Sequence, residues 1–219
     1  DMRFEDLNNT GTIDNGANTV DSPGDRKIIG NSEPRYIYTL SFSADWNNFF
    51  LSAMFDGVGK QNWYPSGESS FWGQYNRPYN NMPTWHQGNY WTEDNTDAFY
   101  PRPYPGSGTD GTVSGIGKGA YNFYPQSRYL VDRSYLRFKN LTVGYTLPQE
   151  LTKKWYLQKV RFYFTAENLC ELINNSYAPV DPEIDASEGG TDADAMKNGV
   201  WGRVAPITRT ISFGLQVSF

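Results

Sequence analysis

The sequence predicts an all-β fold, namely a segment of a transmembrane antiparallel β-barrel with long external loops. Three observations support this prediction: apolar and polar residues alternate in five segments, aromatic residues make up 16% of the chain, and the connections alternate between short and long. No apolar run approaches the roughly 18 residues that a transmembrane helix needs. Barrel strands alternate in polarity and therefore do not produce such a run.

The alternation predicts strands at about residues 35–46, 49–58, 134–145, 159–169 and 207–219. The last segment alternates most regularly, and its apolar residues are Ile211, Phe213, Leu215, Val217 and Phe219. Each segment is close to the roughly 9 to 11 residues that a tilted strand needs to cross a bilayer. The residues that we expect to face lipid are Leu40, Phe42, Leu51, Phe164, Ile211 and Leu215.

Two strands depart from simple alternation. In the second strand, Phe50 and Met54 interrupt the polar face. In the third strand, simple alternation places one set of residues on a single face: Tyr135, Arg137, Lys139, Leu141, Val143 and Tyr145. We expect the charged end of that strand to stand clear of the lipid.

The connections favour a barrel over a soluble β-sandwich, which would show the same alternation. The pair Asn47-Asn48 makes a tight turn, and residues 146–158 make a moderate connection. The predicted external loops are long and cover residues 1–34, 59–133 and 170–206. Loops of this length are uncommon in compact domains, whereas outer-membrane barrels combine short periplasmic turns with long external loops.

Charge and composition limit the function. The net charge is -5, and this balance argues against a nucleic-acid partner, which requires a concentrated basic surface. Cys170 is the single cysteine and His86 the single histidine, so an internal disulfide and a cysteine-based structural metal are excluded.

Catalysis is not expected. A serine or cysteine nucleophile needs a histidine base, and His86 alone is available for that role. The carboxylate pairs Asp181/Glu183 and Asp192/Asp194 lie two residues apart, and such pairs in polar loops are usually solvated. The sequence therefore predicts a protein that is not an enzyme.

One segment near the start of the chain resembles the front half of a calcium-binding loop. Its candidate ligands are Asp6, Asn8, Thr12 and Asp14, and Gly11 permits the sharp turn. Ala17 stands where the closing glutamate of such a loop is usual, although Asp21 or Asp25 could close the ring after an insertion. The alternative is an Asn/Asp turn that needs no ion. Calcium is the one cofactor that the sequence suggests.

The segment from Trp63 to Tyr104 is rich in aromatic residues among Asn, Gly and Pro. Aromatic faces stack on sugar rings or pack on peptide side chains, so the candidate substrate-binding residues are Trp63, Trp72, Trp85 and Trp91. Alternatively, these aromatics form a small core within the loop or contact a partner protein.

Several stretches resemble the SusC-like (SusC/RagA) family of TonB-dependent outer-membrane transporters. The strongest runs from Ser134 to Pro148 (SYLRFKNLTVGYTLP), and a second from Val160 to Leu169 (VRFYFTAENL). Further similar stretches are Asp181-Pro182-Glu183, the ending Thr208–Phe219 and Asp25–Gly30. The similarities follow one another in order along nearly the whole chain.

This resemblance implies the C-terminal part of a plugged barrel of about 22 strands. The chain would supply the last five strands, and the plug, the TonB-coupling segment and the other strands would lie elsewhere in a longer transporter. The family imports oligosaccharides, or in some members peptides, with a SusD-like surface lipoprotein as a lid. Expected partners are therefore that lid, the rest of the barrel and plug, the TonB complex, membrane lipid and a glycan or peptide substrate.

The implied location is the outer membrane of a Gram-negative cell. The resemblance also implies that the C-terminal strand is an assembly signal, with Phe213, Leu215, Val217 and Phe219 as its apolar residues. Two other functions remain open: a secreted carbohydrate-binding β-sandwich module and a structural outer-membrane protein.

Overall fold

The computed structural model describes residues 4–64, 84–101, 126–178, 181–183 and 207–219. These residues divide into two compact units. We call the first the loop unit; its described residues are 4–30, 63–64, 84–101 and 126–131. The second is the sheet unit, with described residues 31–62, 132–178, 181–183 and 207–219.

Seven strands occur in the described residues: β1 (Tyr36–Trp46), β2 (Phe49–Gly59), β3 (Asn62–Trp63), β4 (Val131–Asp132), β5 (Tyr135–Thr146), β6 (Lys159–Asn174) and β7 (Thr210–Ser218). The two short strands β3 and β4 pair with each other, and the other five form one sheet in the order β1-β2-β5-β6-β7. Every pairing in that sheet is antiparallel. The predicted all-β antiparallel class is confirmed.

The two short connections lie at the same end of the sheet. Asn47 and Asn48 adopt φ values of 46° and 69°, and asparagine tolerates this left-handed region better than most residues, which explains the tight β1–β2 turn. Between β5 and β6, the chain forms the helical turn α1 (Gln149–Thr152) and a 3-10 turn at Lys153–Trp155. The described part of the chain holds no helix with the length and apolarity needed to span a membrane.

The sheet sorts its side chains into an apolar face and a polar face. Residues that pair directly across neighbouring strands share a face. The register therefore joins Phe42, Ala53, Leu141, Ala166 and Ile211 in one row across all five strands. Parallel rows add aromatic pairs at Phe49–Tyr145, Phe55–Phe138 and Phe164–Phe213, with ring centroids 4.6, 4.5 and 5.2 Å apart. This face is apolar along its whole width.

Large side chains on the apolar face remain exposed. Leu40 is 64% exposed, Phe213 82% and Leu215 58%. In a soluble sandwich a second layer would cover such residues. Among the described residues of the sheet unit, the apolar face carries no second layer of sheet or helix.

The polar face carries hydroxyl, amide and charged side chains. Thr39 of β1 donates a hydrogen bond to Asp56 of β2 over 2.7 Å, and the row continues to Arg137 of β5. Thr142 and Thr165 form another pair on this face. The two faces therefore meet environments of opposite polarity.

The expected side-chain directions in β5 are wrong at its first end. The pairing with β2 passes from Met54–Asn140 to Phe55–Phe138, so Lys139 has no direct partner on β2. This bulge shifts the alternation by one residue. Arg137 and Tyr135 consequently lie on the polar face, opposite to Leu141, Val143 and Tyr145, and Leu136 and Phe138 continue the apolar face.

Phe50 lies on the polar face, where its ring covers a glycine. It pairs directly with Gly144, and a Cβ atom added to Gly144 would lie 1.9 Å from Cε1 of the Phe50 ring. The guanidinium of Arg161 lies over this ring, 3.5 Å from its centroid. In the same way, Tyr163 covers Gly214 on β7. The ring thus fills the space that the missing side chain leaves.

The two faces predict unequal tolerance of charge in the centre of β6. Phe164 lies between Val143 of β5 and Phe213 of β7 on the apolar face, whereas Thr165 lies on the polar face. We expect Phe164→Arg to lower the unfolding free energy in lipid by about 2 to 4 kcal/mol, because lipid does not solvate the charge. Thr165→Arg is the matched control, and denaturant unfolding in lipid vesicles measures both. Equal losses at the two positions would contradict the assigned faces.

Candidate functional sites

The candidate calcium segment is organised by three aspartates that accept backbone hydrogen bonds. Asp6 accepts from the amides of Thr10 and Gly11, at 3.2 and 2.7 Å. Asp14 accepts from the amide of Gly16 at 2.7 Å. Gly11 has φ 81°, which agrees with the sharp turn expected there.

Asp25 joins the two ends of this segment. One carboxylate oxygen accepts a hydrogen bond from the amide of Leu7 at 2.7 Å, and the other from the amide of Asp14 at 2.8 Å. The bond from Asp14 is the main reason that the pKa of Asp25 is lower than its ordinary value of 3.8. Its two backbone hydrogen bonds hold residues 7 and 14 together, and whether Asp25 completes a ring of calcium ligands remains a prediction.

Calcium binding remains a prediction. Asp6, Asn8, Thr12 and Asp14 offer hard oxygen atoms of the kind that calcium binds. Within the described residues, no group of three or more His, Cys, Asp or Glu side chains stands ready to hold a metal. The carboxylate bonds to backbone amides are those of an Asn/Asp turn, which forms without an ion.

Aromatic residues of the loop unit pack on one another. The His86 ring lies on the Tyr100 ring with centroids 3.8 Å apart, and Phe99 meets Tyr129 edge to face at 5.4 Å. The Tyr129 hydroxyl donates to the carbonyl of Phe99 over 2.9 Å, and the Arg128 guanidinium lies 5.5 Å from the Phe99 ring centroid. Burial raises the pKa of Tyr100 and of Tyr129 to about 12.

The four candidate tryptophans differ in what the structure describes. Trp63, Trp85 and Trp91 are each half-buried, and Trp85 meets His86 edge to face at 5.9 Å. Trp72 lies outside the described residues. The packing of His86, Phe99, Tyr100 and Tyr129 agrees with the alternative of a small core within the loop, and substrate binding by the tryptophans remains a prediction.

Asp181 and Glu183 are not solvated, contrary to the expectation from the sequence. Their side chains are 10% and 19% exposed, and each lies 2.7 Å from the guanidinium of Arg137. Glu171 also pairs with Arg137. This cluster was not predicted from the sequence, because its members lie far apart in the chain and the bulge in β5 changes the face of Arg137. The pair Asp192/Asp194 lies outside the described residues.

The last strand presents its apolar residues on the exposed side of the sheet. Phe213 pairs with Phe164, Leu215 with Phe162 and Val217 with Val160. Phe219 follows the end of β7 and is 84% exposed. The role of these four residues in assembly remains a prediction.

Comparison with known proteins identifies the class of protein. No protein-family model matches the chain. The chain is 30% identical over 219 residues to "TonB-dependent receptor P3" of Formosa agariphila, a match that covers 99% of the chain and 19% of that receptor. The chain is thus similar to a TonB-dependent receptor along its length, and it spans about a fifth of the receptor.

Solved structures share the fold. The structure of the RagAB peptide importer in the "open-open" state aligns with a TM-score of 0.52 and 21% identity, covering 92% of this chain and 19% of that chain. The structure of the RagAB peptide transporter aligns with a TM-score of 0.55 and 21% identity, covering 88% and 18%. The sequence comparison confirms the resemblance to TonB-dependent receptors, and the solved structures show that the fold is shared.

Two treatments distinguish the interpretations of the aspartate segment. If calcium binds, Asp6→Ala with Asp14→Ala abolishes the protection from protease that calcium gives to residues 6–25, because these carboxylates are the charged ligands. Limited proteolysis with calcium and with chelator measures the protection. Identical digestion of the unaltered protein in both conditions would leave the turn that needs no ion.

Acid gives an independent test of the Asp25 contacts. Because its pKa is lowered in the folded loop, the stabilisation is complete above the ordinary value of 3.8 and is lost as the pH falls through the folded-state pKa. Asp25→Asn should therefore make proteolysis of this segment faster at neutral pH and reduce the further increase in its rate that the unaltered protein shows as the pH falls below about 4.

Proposed function

We propose that the chain forms part of the wall of a TonB-dependent transporter in the outer membrane of a Gram-negative cell. One observation carries the proposal: a single antiparallel sheet has an apolar face that runs across all five strands, with large exposed side chains on β1, β2, β6 and β7, and a polar face behind it. Barrel strands in a membrane present their apolar residues to lipid and their polar residues to the lumen. The similarity to a TonB-dependent receptor supports the same conclusion.

The positions of the connections support an orientation. Residues 47–48 and 147–158 join strands at one end of the sheet, while residues 60–134 and 175–209 join them at the other. Outer-membrane barrels have short turns on the periplasmic side and long loops outside. We therefore assign the end with Asn47 and α1 to the periplasm and the other end to the cell surface.

The proposed substrate is an oligosaccharide, and a peptide is the second candidate. The aromatic and amide residues of the segment from Trp63 to Tyr104 suit sugar rings and hydroxyl groups. The peptide is favoured by the solved structures of similar fold, which are described as a peptide importer and a peptide transporter. In both cases the remainder of the barrel, the plug and the TonB contact belong to other parts of a longer protein.

A SusD-like lipoprotein is the proposed partner at the cell surface. The family resemblance implies such a lid, and the RagAB structures share the fold of this chain. Among the segments assigned to the surface side, the aromatic-rich residues between β2 and β5 offer a contact area for it. Calcium in the segment Asp6–Asp25 is a proposed structural cofactor rather than a reactive one.

The alternative functions make different demands on the sheet. A secreted carbohydrate-binding sandwich would need a second layer over Leu40, Phe213 and Leu215. A structural outer-membrane protein would share the sheet but would not transport. Transport and membrane location must therefore be measured on the same protein.

The test uses the full-length protein in its own cells. Membrane fractionation gives its location, and the uptake of labelled oligosaccharides and of labelled peptides is compared with a deletion strain, with and without a proton ionophore. We expect outer-membrane location and energy-dependent uptake of oligosaccharide. Uptake of peptide alone would identify the second candidate. Folded protein in the outer membrane without uptake of either probe would indicate a structural role, and a soluble protein would indicate the binding module.

The C-terminal strand provides a prediction about assembly. Val217 and Phe219 are the last of the alternating apolar residues along the C-terminal strand. Within the described sheet β7 has a strand partner on one side, so its other edge must pair for a barrel to close. We expect Phe219→Asp to lower the amount of transporter at the cell surface severalfold while uptake per surface molecule changes little. Surface labelling and uptake in the same cells measure both quantities. Normal surface abundance with lost uptake would refute an assembly role.

A further inference from the structure

A cluster of five charged side chains lies on the sheet unit near the end assigned to the cell surface. Arg137 of β5 contacts Asp181 and Glu183 at 2.7 Å each and also pairs with Glu171 of β6. Lys139 of β5 pairs with Glu183. The Arg137 side chain is 4% exposed, so water contributes little to its solvation. The three carboxylates are therefore what keeps this buried charge stable.

The cluster attaches a distant part of the chain to the sheet. Asp181 and Glu183 belong to the connection between β6 and β7, which covers residues 175–209. Pro182 between them is fully buried, and its carbonyl accepts a hydrogen bond from Arg133 over 3.0 Å. The amide of Glu183 donates to the Asp181 carboxylate over 3.0 Å, so the three residues form a compact turn. Three basic side chains from β5 and the residues before it hold this turn.

The shape of the guanidinium explains why an arginine occupies the centre. Its planar fork presents separate N–H groups in different directions, and here one terminal nitrogen contacts Glu183 while the other contacts Asp181 and Glu171. A lysine is a point charge on a flexible stem and does not reproduce three directed contacts. The arrangement therefore depends on geometry as well as on charge.

The bulge in β5 determines the side on which the turn is held. Because the alternation shifts at Lys139, Arg137 lies on the polar face with Asp56, Asn140 and Thr142. If the apolar face meets lipid, as the proposed function requires, the polar face lines the passage through the barrel. The turn at Asp181–Glu183 is then held against the inner wall near the external mouth.

We propose that Arg133, Arg137 and Lys139 form a charge latch that fixes the turn Asp181–Glu183 against the polar face, and that Arg137 is a positioning residue for the external mouth of the passage. The effect on transport rests on the proposed function, whereas the attachment of the turn does not. The latch keeps one point of the long β6–β7 connection at a constant place beside the wall. A substrate that enters the mouth then meets the same surface each time.

The first test measures attachment directly by hydrogen exchange of the full-length protein in detergent. In Arg137→Met, amides of residues 174–183 should exchange at least about tenfold faster, while the central residues 141–146 and 161–166 keep the wild-type rate, because strand pairing there does not use the cluster. Arg137→Lys should restore the wild-type rate only in part. Arg161→Met is the matched control, since Arg161 lies on the same face over Phe50 and has no carboxylate partner among the described residues.

A second variant covers the case in which Arg137→Met does not fold. The triple change Arg137→Met, Glu171→Gln, Asp181→Asn removes the cation together with two of its carboxylates, so no cluster of stranded charges remains. It should fold and still show the faster exchange of residues 174–183. Wild-type exchange of those residues in a folded variant would overturn the latch.

The second test measures the effect on the passage. Uptake is followed against concentration with whichever labelled oligosaccharide or peptide the wild-type cells import, and it is divided by surface abundance. Releasing the turn should raise the half-saturating concentration severalfold for the triple variant and leave it unchanged for Arg161→Met. Faster exchange with an unchanged uptake curve would overturn the positioning role. If wild-type cells import neither probe, the transport proposal fails, while the exchange experiment still decides whether the latch exists.

Discussion

The antiparallel register of β5 with its two neighbours is the constraint on which the rest of the sheet depends. β5 pairs with β2 on one side and β6 on the other, and these pairings set which residues share a face. Because side chains alternate along a strand, a shift of one residue reverses every side chain beyond it. In the pairing with β2, the shift at Lys139 thus keeps Leu136 and Phe138 on the apolar face and turns Arg137 to the polar face. The pairing of the backbones therefore determines which side chains of β5 lie on the apolar face and which lie on the polar face.

The loop unit is organised differently, with side chains acting on the backbone. In residues 4–30, the carboxylates of Asp6, Asp14 and Asp25 accept hydrogen bonds from backbone amides. In a sheet, the carbonyl groups of a neighbouring strand would accept these bonds. In the described residues between β3 and β4, aromatic rings pack on each other, as His86 does on Tyr100. Such local contacts allow long connections to be ordered without extending the sheet.

Much of the sheet follows from the sequence, since alternation identifies the apolar side of β1, β2, β6 and β7. The prediction failed where alternation itself is broken. The apolar positions of β5 change from even to odd between Phe138 and Leu141, and simple alternation did not identify this change as a bulge. In addition, β6 continues to Asn174, beyond the expected end near residue 169. The charge cluster was missed for a related reason. Arg137 and Glu183 are 46 residues apart, and composition does not show which distant charges meet. Phe50, by contrast, stood out in the sequence as an exception, and the structure supplies its partner, Gly144.

The pairing of Phe50 with Gly144 has a consequence for how the sequence can vary. A Cβ atom at position 144 would lie 1.9 Å from the ring of Phe50, so a larger residue at position 144 requires the ring to move or a smaller residue at position 50. The same steric constraint links Tyr163 and Gly214. Substitutions at these positions are therefore expected to covary. Where one strand has an aromatic residue, the position that pairs with it on the neighbouring strand should have glycine. Aligned relatives would show this as coupled columns, a record of strand register that is independent of hydrophobic pattern.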